Sequence, residues 1–290
     1  MKPSIATHSG PFHADDVMAV ALLHTFWDAE ATVVRTRDAA VIEAATAVVD
    51  VGGLHDPSTL RFDHHQSSYT GPRSAAGLVL DWLDETNRMD DGLADSLRSG
   101  VMTYLDDVDN GRRHPASDVL CFPRIVETLC HPADTLEAFD QAFGGAVSFA
   151  RAFLEGHREG YRRVQAARAE VLAAMRDAEA SARNVLFFDR YLKWKKPYFG
   201  EGGAEHPTEF VVFPGAEGTW RIVAIPTRLG VFDQKRSLPE EWAGLTDGDL
   251  ARVTGIEGSI FCHKNRFIAV FKTREDTLRA LEMSGLLNRS

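Results

Sequence analysis

The segment THSGPFHADD, residues 7–16, gathers His8, His13 and Asp15 directly after a short apolar run of β type. Three further stretches carry the same kinds of side chain: VVDVGG with Asp50, RFDHHQ with Asp63, His64 and His65, and YLDDVDNG with Asp106, Asp107 and Asp109. Taken singly, each has an ordinary explanation, because a His near a strand end is usually hydrogen-bonded or exposed and an Asp before Gly usually makes a turn. The combination points to a metal. Carboxylates buried together raise one another's pKa, and desolvation penalises each charge, so cations are the simplest compensation. Imidazole mixed with carboxylate and without thiolate suits Mn²⁺, Mg²⁺ or Fe²⁺ better than a structural zinc site, and Mn²⁺ is the first choice. The Asp and His candidates exceed what one ion needs if a position is to stay open for water and substrate. Two divalent ions sharing a bridging carboxylate are expected.

The elements that must position these residues are legible as alternating patterns. Apolar β-rich runs at Ser4 to Thr7, Ala31 to Thr36 and Ala47 to Val51 alternate with helical patterns at Asp15 to Phe26 and Asp38 to Ala45. That alternation predicts an α/β domain with a parallel sheet, in which loops leaving the carboxyl ends of the strands converge on one crevice. Helical patterns continue at Ser74 to Asn87, Gly92 to Val108 and Thr135 to Phe149, followed by an Ala-, Arg- and Glu-rich stretch from Arg151 to Arg183 without Pro. Beyond it, short β-like runs (Val185 to Asp189, Glu209 to Phe213, Trp220 to Ile225, Ser259 to Cys262, Phe267 to Phe271) and helical patterns at Asp247 to Val253 and Arg274 to Met283 predict a smaller α+β domain. The expected organisation is a metal-binding domain over 1–150, a connecting helix over 151–183 and a C-terminal domain over 184–290. Lys193 to Pro207, with its lysines, glycines and prolines, reads as a surface loop.

The 290 residues are 44% apolar and 26% charged, as in a globular protein with a sizeable core. No apolar run is long enough for a membrane span, and the N-terminus lacks the order of a secretory signal, so a cytoplasmic address is expected. Cys121, Cys130 and Cys262 have no C-x-x-C spacing and suggest neither a disulfide framework nor a thiolate zinc site. The net charge of −10 argues against nonspecific capture of a long phosphate backbone. It is unevenly spread: residues 1–189 carry 17 basic and 29 acidic groups, and 190–290 carry 15 and 13, so the second half could hold an anion that the first, without metal, would repel.

THSGPFHADD, VVRTRD, VVDVGG, RFDHHQ, SAAGLVL and DDVDNG, in that order, resemble the melanocyte proliferating gene protein family, a DHH-like branch of the DHH phosphoesterase superfamily. The similarity continues through TWRIVAIP, LPEEWAGL and TGIEGSIFCH and covers nearly the whole chain. The resemblance implies a DHH-type domain and a metal-dependent phosphoesterase holding two divalent ions, usually Mn²⁺, with 3′ to 5′ exonuclease activity on RNA or short oligonucleotides. It implies His8, His13 and Asp50 at one ion, and Asp15, Asp50, His64 and Asp109 at the other, with Asp50 bridging. His65 would face the scissile phosphate, and Asp63 would orient a neighbouring imidazole. Asp109 matches the fourth aspartate motif of the superfamily best, with Asp106 as a rival. His13 stands near the place where superfamily relatives usually put an aspartate, which would make the cluster more electrophilic.

For Arg35 and Arg37 in VVRTRD, phosphate contact is balanced against solvated charge, with Asp38 capping the next helix. GSIFCHKNRFIAVFKT occupies the place of the superfamily's glycine-rich phosphate loop, but Ala269 and Val270 stand where paired glycines are expected. His263, Lys264, Arg266 and Lys272 would then have to hold substrate. Trp194 and Trp220 are better read as packing residues than as stacking platforms for a base. Two other readings remain open: a small-molecule phosphohydrolase acting on pyrophosphate or a cyclic dinucleotide, and a non-catalytic, metal-stabilised binding protein. The residues do not decide between a monomer and a homodimer.

Overall fold

The computed structural model describes residues 2–215 and 217–287. The first sheet is built from the short β-branched runs: β1 (Ser4–Thr7), β2 (Thr32–Arg35), β3 (Ala47–Val49), β4 (His55–Asp56) and β5 (Arg61–Phe62), in the order β2-β1-β3-β5-β4. β2, β1, β3 and β5 are mutually parallel, and β4 pairs antiparallel with β5 at the edge. The parallel sheet expected from the alternation carries one antiparallel edge strand. β4 and β5 are two residues each, too short to leave a periodic signal.

The crossover helices are α1 (Ala14–Phe26), α2 (Ala39–Ala44) and α3 (Ala75–Glu85). α1 is buried at every position from Ala14 to Leu23, because it packs against α3 and against two later helices, over Thr103–Asp109 and Phe122–Cys130. A helix apolar on all sides is a core element, and it takes any polar residue in its first turn inside with it. The helix expected from Gly92 to Val108 is broken into α4 (Leu93–Leu97), a π-helical turn over Arg98–Met102, and α5 (Thr103–Asp109). Such a turn shifts the register of the helix that follows, and is common where a helix serves a functional site. α6 (Phe122–Cys130) lies in a stretch that gave no prediction.

α7 runs unbroken over 45 residues, Leu136–Ala180, merging the two helices expected on either side of residue 150. Phe143, Ala146, Val147, Ala150 and Leu154 keep buried positions at helical spacing across the expected junction, and no proline interrupts it. The chain divides inside α7 into two compact units, Met1–Glu159 and Gly160–Ser290.

The second unit has its own sheet, of β6 (Val185–Phe187), β7 (Phe210–Pro214), β8 (Trp220–Ala224), β9 (Ser259–Cys262) and β10 (Ile268–Phe271), in the order β6-β7-β8-β10-β9. Only β6–β7 is parallel. Alternate residues of β7 serve opposite faces: Phe210 and Val212 pack with Ile222, Leu238 and Trp242, whereas Val211 and Phe213 pack with Val171, Leu186 and Tyr198. The expected loop at 193–207 holds a short helix, α8 (Lys195–Gly200), which buries Trp194, Pro197 and Tyr198 through their i, i+3, i+4 spacing. Trp194 is therefore core. Trp220 packs partly buried against the other cluster, beneath the guanidinium of Arg274. α9 (Asp247–Thr254) and α10 (Arg274–Met283) complete the unit. No helix among the described residues is long and apolar enough to cross a membrane.

Candidate metal centre

The carboxyl ends of β1, β3 and β5 point their following loops at one place in the first unit, as parallel α/β sheets do. His8 follows β1, and Asp15 lies in the first turn of α1. Because α1 is buried all round, Asp15 and Asp16 are both buried. Asp50 follows β3 with a φ of 57°, a left-handed conformation uncommon outside glycine that aspartate tolerates better than most residues. The loop after it closes against the loop after β5: the Gly53 amide donates to Asp63 Oδ2 at 2.7 Å, with Gly53 at φ 66°. Asp109 is the last residue of α5.

His64 Nε2 stands 3.2 Å from Asp109 Oδ2, 3.4 Å from Asp50 Oδ1 and 3.7 Å from Asp15 Oδ2. His8 Nε2 stands 3.1 Å from Asp16 Oδ2 and 3.4 Å from Asp50 Oδ2. Three overlapping groups bring ligand-type atoms within 4.8 Å of one another: His8, His13 and Asp50; Asp50, His64 and His65; and Asp15, His64 and Asp109. Asp50 belongs to two of them, one oxygen facing each histidine. Both carboxylate oxygens of Asp15, Oδ1 of Asp50 and Nε2 of His64 are buried without a hydrogen-bond partner. Buried polar atoms without partners are costly, and a carboxylate with neither oxygen satisfied is the donor set a hard or borderline cation completes.

The electrostatics agree. Burial, then the neighbouring charges of Asp50 and Asp109, push the Asp15 carboxyl well above the ordinary range. At Asp50 burial acts the same way but is outweighed by the His64 and His8 imidazoles, which hold it at about 2. Burial opposes charge on His8 and His64, yet the facing carboxylates raise them to about 9 and about 10. In the metal-free chain, protons on two imidazoles stand where cations would otherwise balance the carboxylates.

Asp63 accepts from the His65 amide at 3.0 Å and lies 2.9 Å from His65 Nδ1, so it fixes a ring that is 63% exposed beside the cluster. Asp106 is elsewhere. Its Oδ1 accepts from the Ser74 amide and hydroxyl at 2.9 and 2.8 Å, its Oδ2 from Arg73, and a Cβ at Gly77 would run into it. None of the metal-type groups among the described residues includes it.

Arg35 is also inward. Its side chain is 3% exposed, donates to the Gly10 carbonyl at 2.7 Å and to Asp140 at 2.9 Å, and lies over the rings of Phe12 and Phe143. It clamps the loop between His8 and His13 and is not the freely solvated charge weighed against phosphate contact. Arg37 is exposed, and Asp38 caps α2 by accepting from the Ala40 and Val41 amides. His263, Lys264, Arg266 and Lys272 lie in the second unit. The His263 ring packs on Phe267 and accepts from the Asn265 amide, Arg266 takes a left-handed turn position, and Lys264 and Lys272 are exposed. Ala269 is fully buried within β10.

The residue that sequence reading missed is Asp16. Its Oδ1 accepts from the His13 and Val17 amides, capping α1, while Oδ2 faces His8. The signal was an acid at the third helical position, where a side chain reaches back to the residue that opens the helix.

The MYG1 exonuclease family model, described as an uncharacterised protein family (UPF0160), matches residues 4–284. The chain is 37% identical over 284 residues to the MYG1 protein of Chlamydia pneumoniae, covering 97% of this chain and 96% of the relative. It is 32% identical to the MYG1 protein of Dictyostelium discoideum, with 95% and 94% covered. It is 31% identical to the MYG1 exonuclease of Homo sapiens, with 99% and 87% covered. In agreement with the resemblance carried by its motifs, the chain belongs to the MYG1 exonuclease family.

Proposed function

We propose that this protein is a metal-dependent phosphodiester hydrolase that removes nucleotides 3′ to 5′ from RNA or short oligonucleotides, with two divalent ions, preferably Mn²⁺, held at a DHH-type cluster. The observation that carries this reading is the buried Asp15 carboxylate with no hydrogen bond to either oxygen, flanked by Asp50, His64 and Asp109. The exonuclease name of the human and mouse relatives supports the reaction class. In this reading His8, His13 and Asp50 hold one ion, Asp15, Asp50, His64 and Asp109 hold the other, and Asp50 is shared. Divalent ions bound there supply an acidified water and neutralise charge on the phosphoryl oxygens.

The protein's own residues prepare the site. The left-handed backbone at Asp50 aims its carboxylate between the two histidines, Asp16 ties His8 to the start of α1, and the Arg35 clamp fixes the connecting loop. His65, held through Nδ1 by Asp63 and exposed at its outer edge, orients and stabilises the phosphoryl oxygens.

The test is a 5′-labelled RNA oligomer incubated with chelator-treated protein, then with added Mn²⁺. A ladder shortening from the 3′ end that appears only with metal is expected. Hydrolysis of pyrophosphate or a cyclic dinucleotide with no attack on the oligomer would replace this reading with the small-molecule one.

A further inference from the structure

His13, His65 and Asp109 form one side of a cavity of about 580 Å³ in the first unit. Away from the cluster its lining is mostly apolar, with Phe12, Leu105, Val108 and Pro123 contributing, and His131 lies at its edge. Phe12 is fixed edge to face against Phe143, with ring centroids 5.4 Å apart, so this wall is preformed. Besides Asp109 of the cluster, a second carboxylate lines the cavity: Glu127, on the exposed side of α6.

A phosphodiester held at the cluster brings its attached nucleoside into the adjoining space. Apolar walls take the faces of a base, and the volume falls in the range of sites that enclose a small organic ligand rather than a bare phosphate. A carboxylate in such a wall repels phosphate but accepts from hydroxyls, and the 2′-hydroxyl is the group that ribose has and deoxyribose lacks. We infer that this cavity seats the terminal ribonucleoside of the substrate, with its base against the Val108 wall and its 2′-hydroxyl donating to Glu127. The inference rests on the hydrolase reading of the cluster and adds the seat of the terminal nucleoside and the residue that selects ribose there.

Titration calorimetry of the full chain with Mn²⁺ and either adenosine 5′-monophosphate or its 2′-deoxy counterpart reads the cavity without turnover. The unaltered protein is expected to bind the ribonucleotide about tenfold more tightly, the size of one good hydrogen bond to a charged acceptor. Glu127→Ala should bring the two affinities within about twofold, and Val108→Trp, which fills the cavity, should weaken both by about tenfold or more. Equal affinities in the unaltered protein, or an undiminished preference in Glu127→Ala, would overturn the inference. Glu127 is exposed, so its replacement leaves the fold intact, and Mn²⁺-induced thermal stabilisation verifies the cluster in each variant. Hydrolysis of bis(p-nitrophenyl) phosphate, which has no nucleoside, is measured separately on the unaltered protein. Its absence would remove the hydrolase reading, while the nucleotide titrations still decide the cavity.

Discussion

Both units bury polar side chains, but they do so with opposite results. In the second unit Lys235 Nζ donates to Tyr198 Oη at 2.9 Å and to the Gly203 and His206 carbonyls at 2.6 Å each, using the three donors of an ammonium. Thr208 Oγ1, fully buried, bridges Tyr198 Oη and His206 Nδ1 at 2.9 and 2.8 Å. In the first unit, Asp15 is equally buried and has no hydrogen-bond partner on either oxygen, His64 Nε2 standing 3.7 Å from Oδ2. The Lys235, Tyr198 and Thr208 donors are paired from within and hold the fold together, with His206 Nε2 turned only toward Glu179 at 3.4 Å, whereas a buried carboxylate with both oxygens open is suited to a cation from outside.

The sharpest way to break this contrast is Asp50→Asn, which keeps the shape and the tolerance for a left-handed backbone but removes the shared charge. Hydrolysis should fall about a thousandfold or more, and Mn²⁺ should no longer raise the melting temperature, while the metal-free fold persists. Wild-type turnover by that variant would end the two-metal assignment. Arg35→Lys should weaken Mn²⁺ binding by about 10- to 100-fold in a direct titration, because the loop between His8 and His13 loses its forked clamp although the charge is kept. An unchanged affinity would make Arg35 a packing residue only.

Thr208→Val tests the other side. Leaving Tyr198 and His206 without their shared partner should cost about 2 kcal/mol in denaturant unfolding, with no change in Mn²⁺ affinity. Loss of metal binding there would mean that the two networks are not separate.

The smallest effect is the pH dependence, which should differ in sign between the cluster imidazoles His8 and His64 and the buried His206. His8 and His64 have folded pKa values of about 9 and about 10, above the ordinary 6.5. Their contribution to the metal-free fold is therefore fully present below about pH 6.5 and is lost as the pH rises through 9 to 10. Burial lowers His206, so its contribution is present above its ordinary pKa and is lost as the pH falls through it. Melting curves of chelated protein should decline on the alkaline side, and Mn²⁺ should bind more tightly as the pH rises because it displaces the imidazole protons. A metal-free protein as stable at pH 10 as at pH 7 would contradict the charged imidazoles. Replacing His206 with Asn should reduce the acid-side loss alone.

Much of the site was visible in one dimension because strand ends are local. β1, β3 and β5 each finish a few residues before a ligand-type side chain, and a parallel sheet sends such ends to one edge whatever the remaining packing does. The second unit was less legible. α8 was hidden in a lysine- and glycine-rich stretch because its helical signal is only a turn and a half of apolar spacing around Tyr198, and burial against the sheet, not propensity, makes it a helix.

The order and types of the ligand residues, their placement after short parallel strands, and the expectation that clustered carboxylates require cations follow from the sequence, since each depends only on neighbours along the chain. The tertiary structure decided three things that local pattern could not. Asp109 joins the cluster while Asp106, three residues earlier on the same helix, goes to Ser74 and Arg73; the π-helical turn before α5 sets the register that the helix presents. Arg35 turns inward because Gly10, Asp140 and the rings of Phe12 and Phe143 meet it there, and those partners come from distant parts of the sequence. Asp15 is stripped of water because α1 is enclosed by helices from distant parts of the chain. Burial of a charge is a property of the assembled core, and no single segment of sequence contains it.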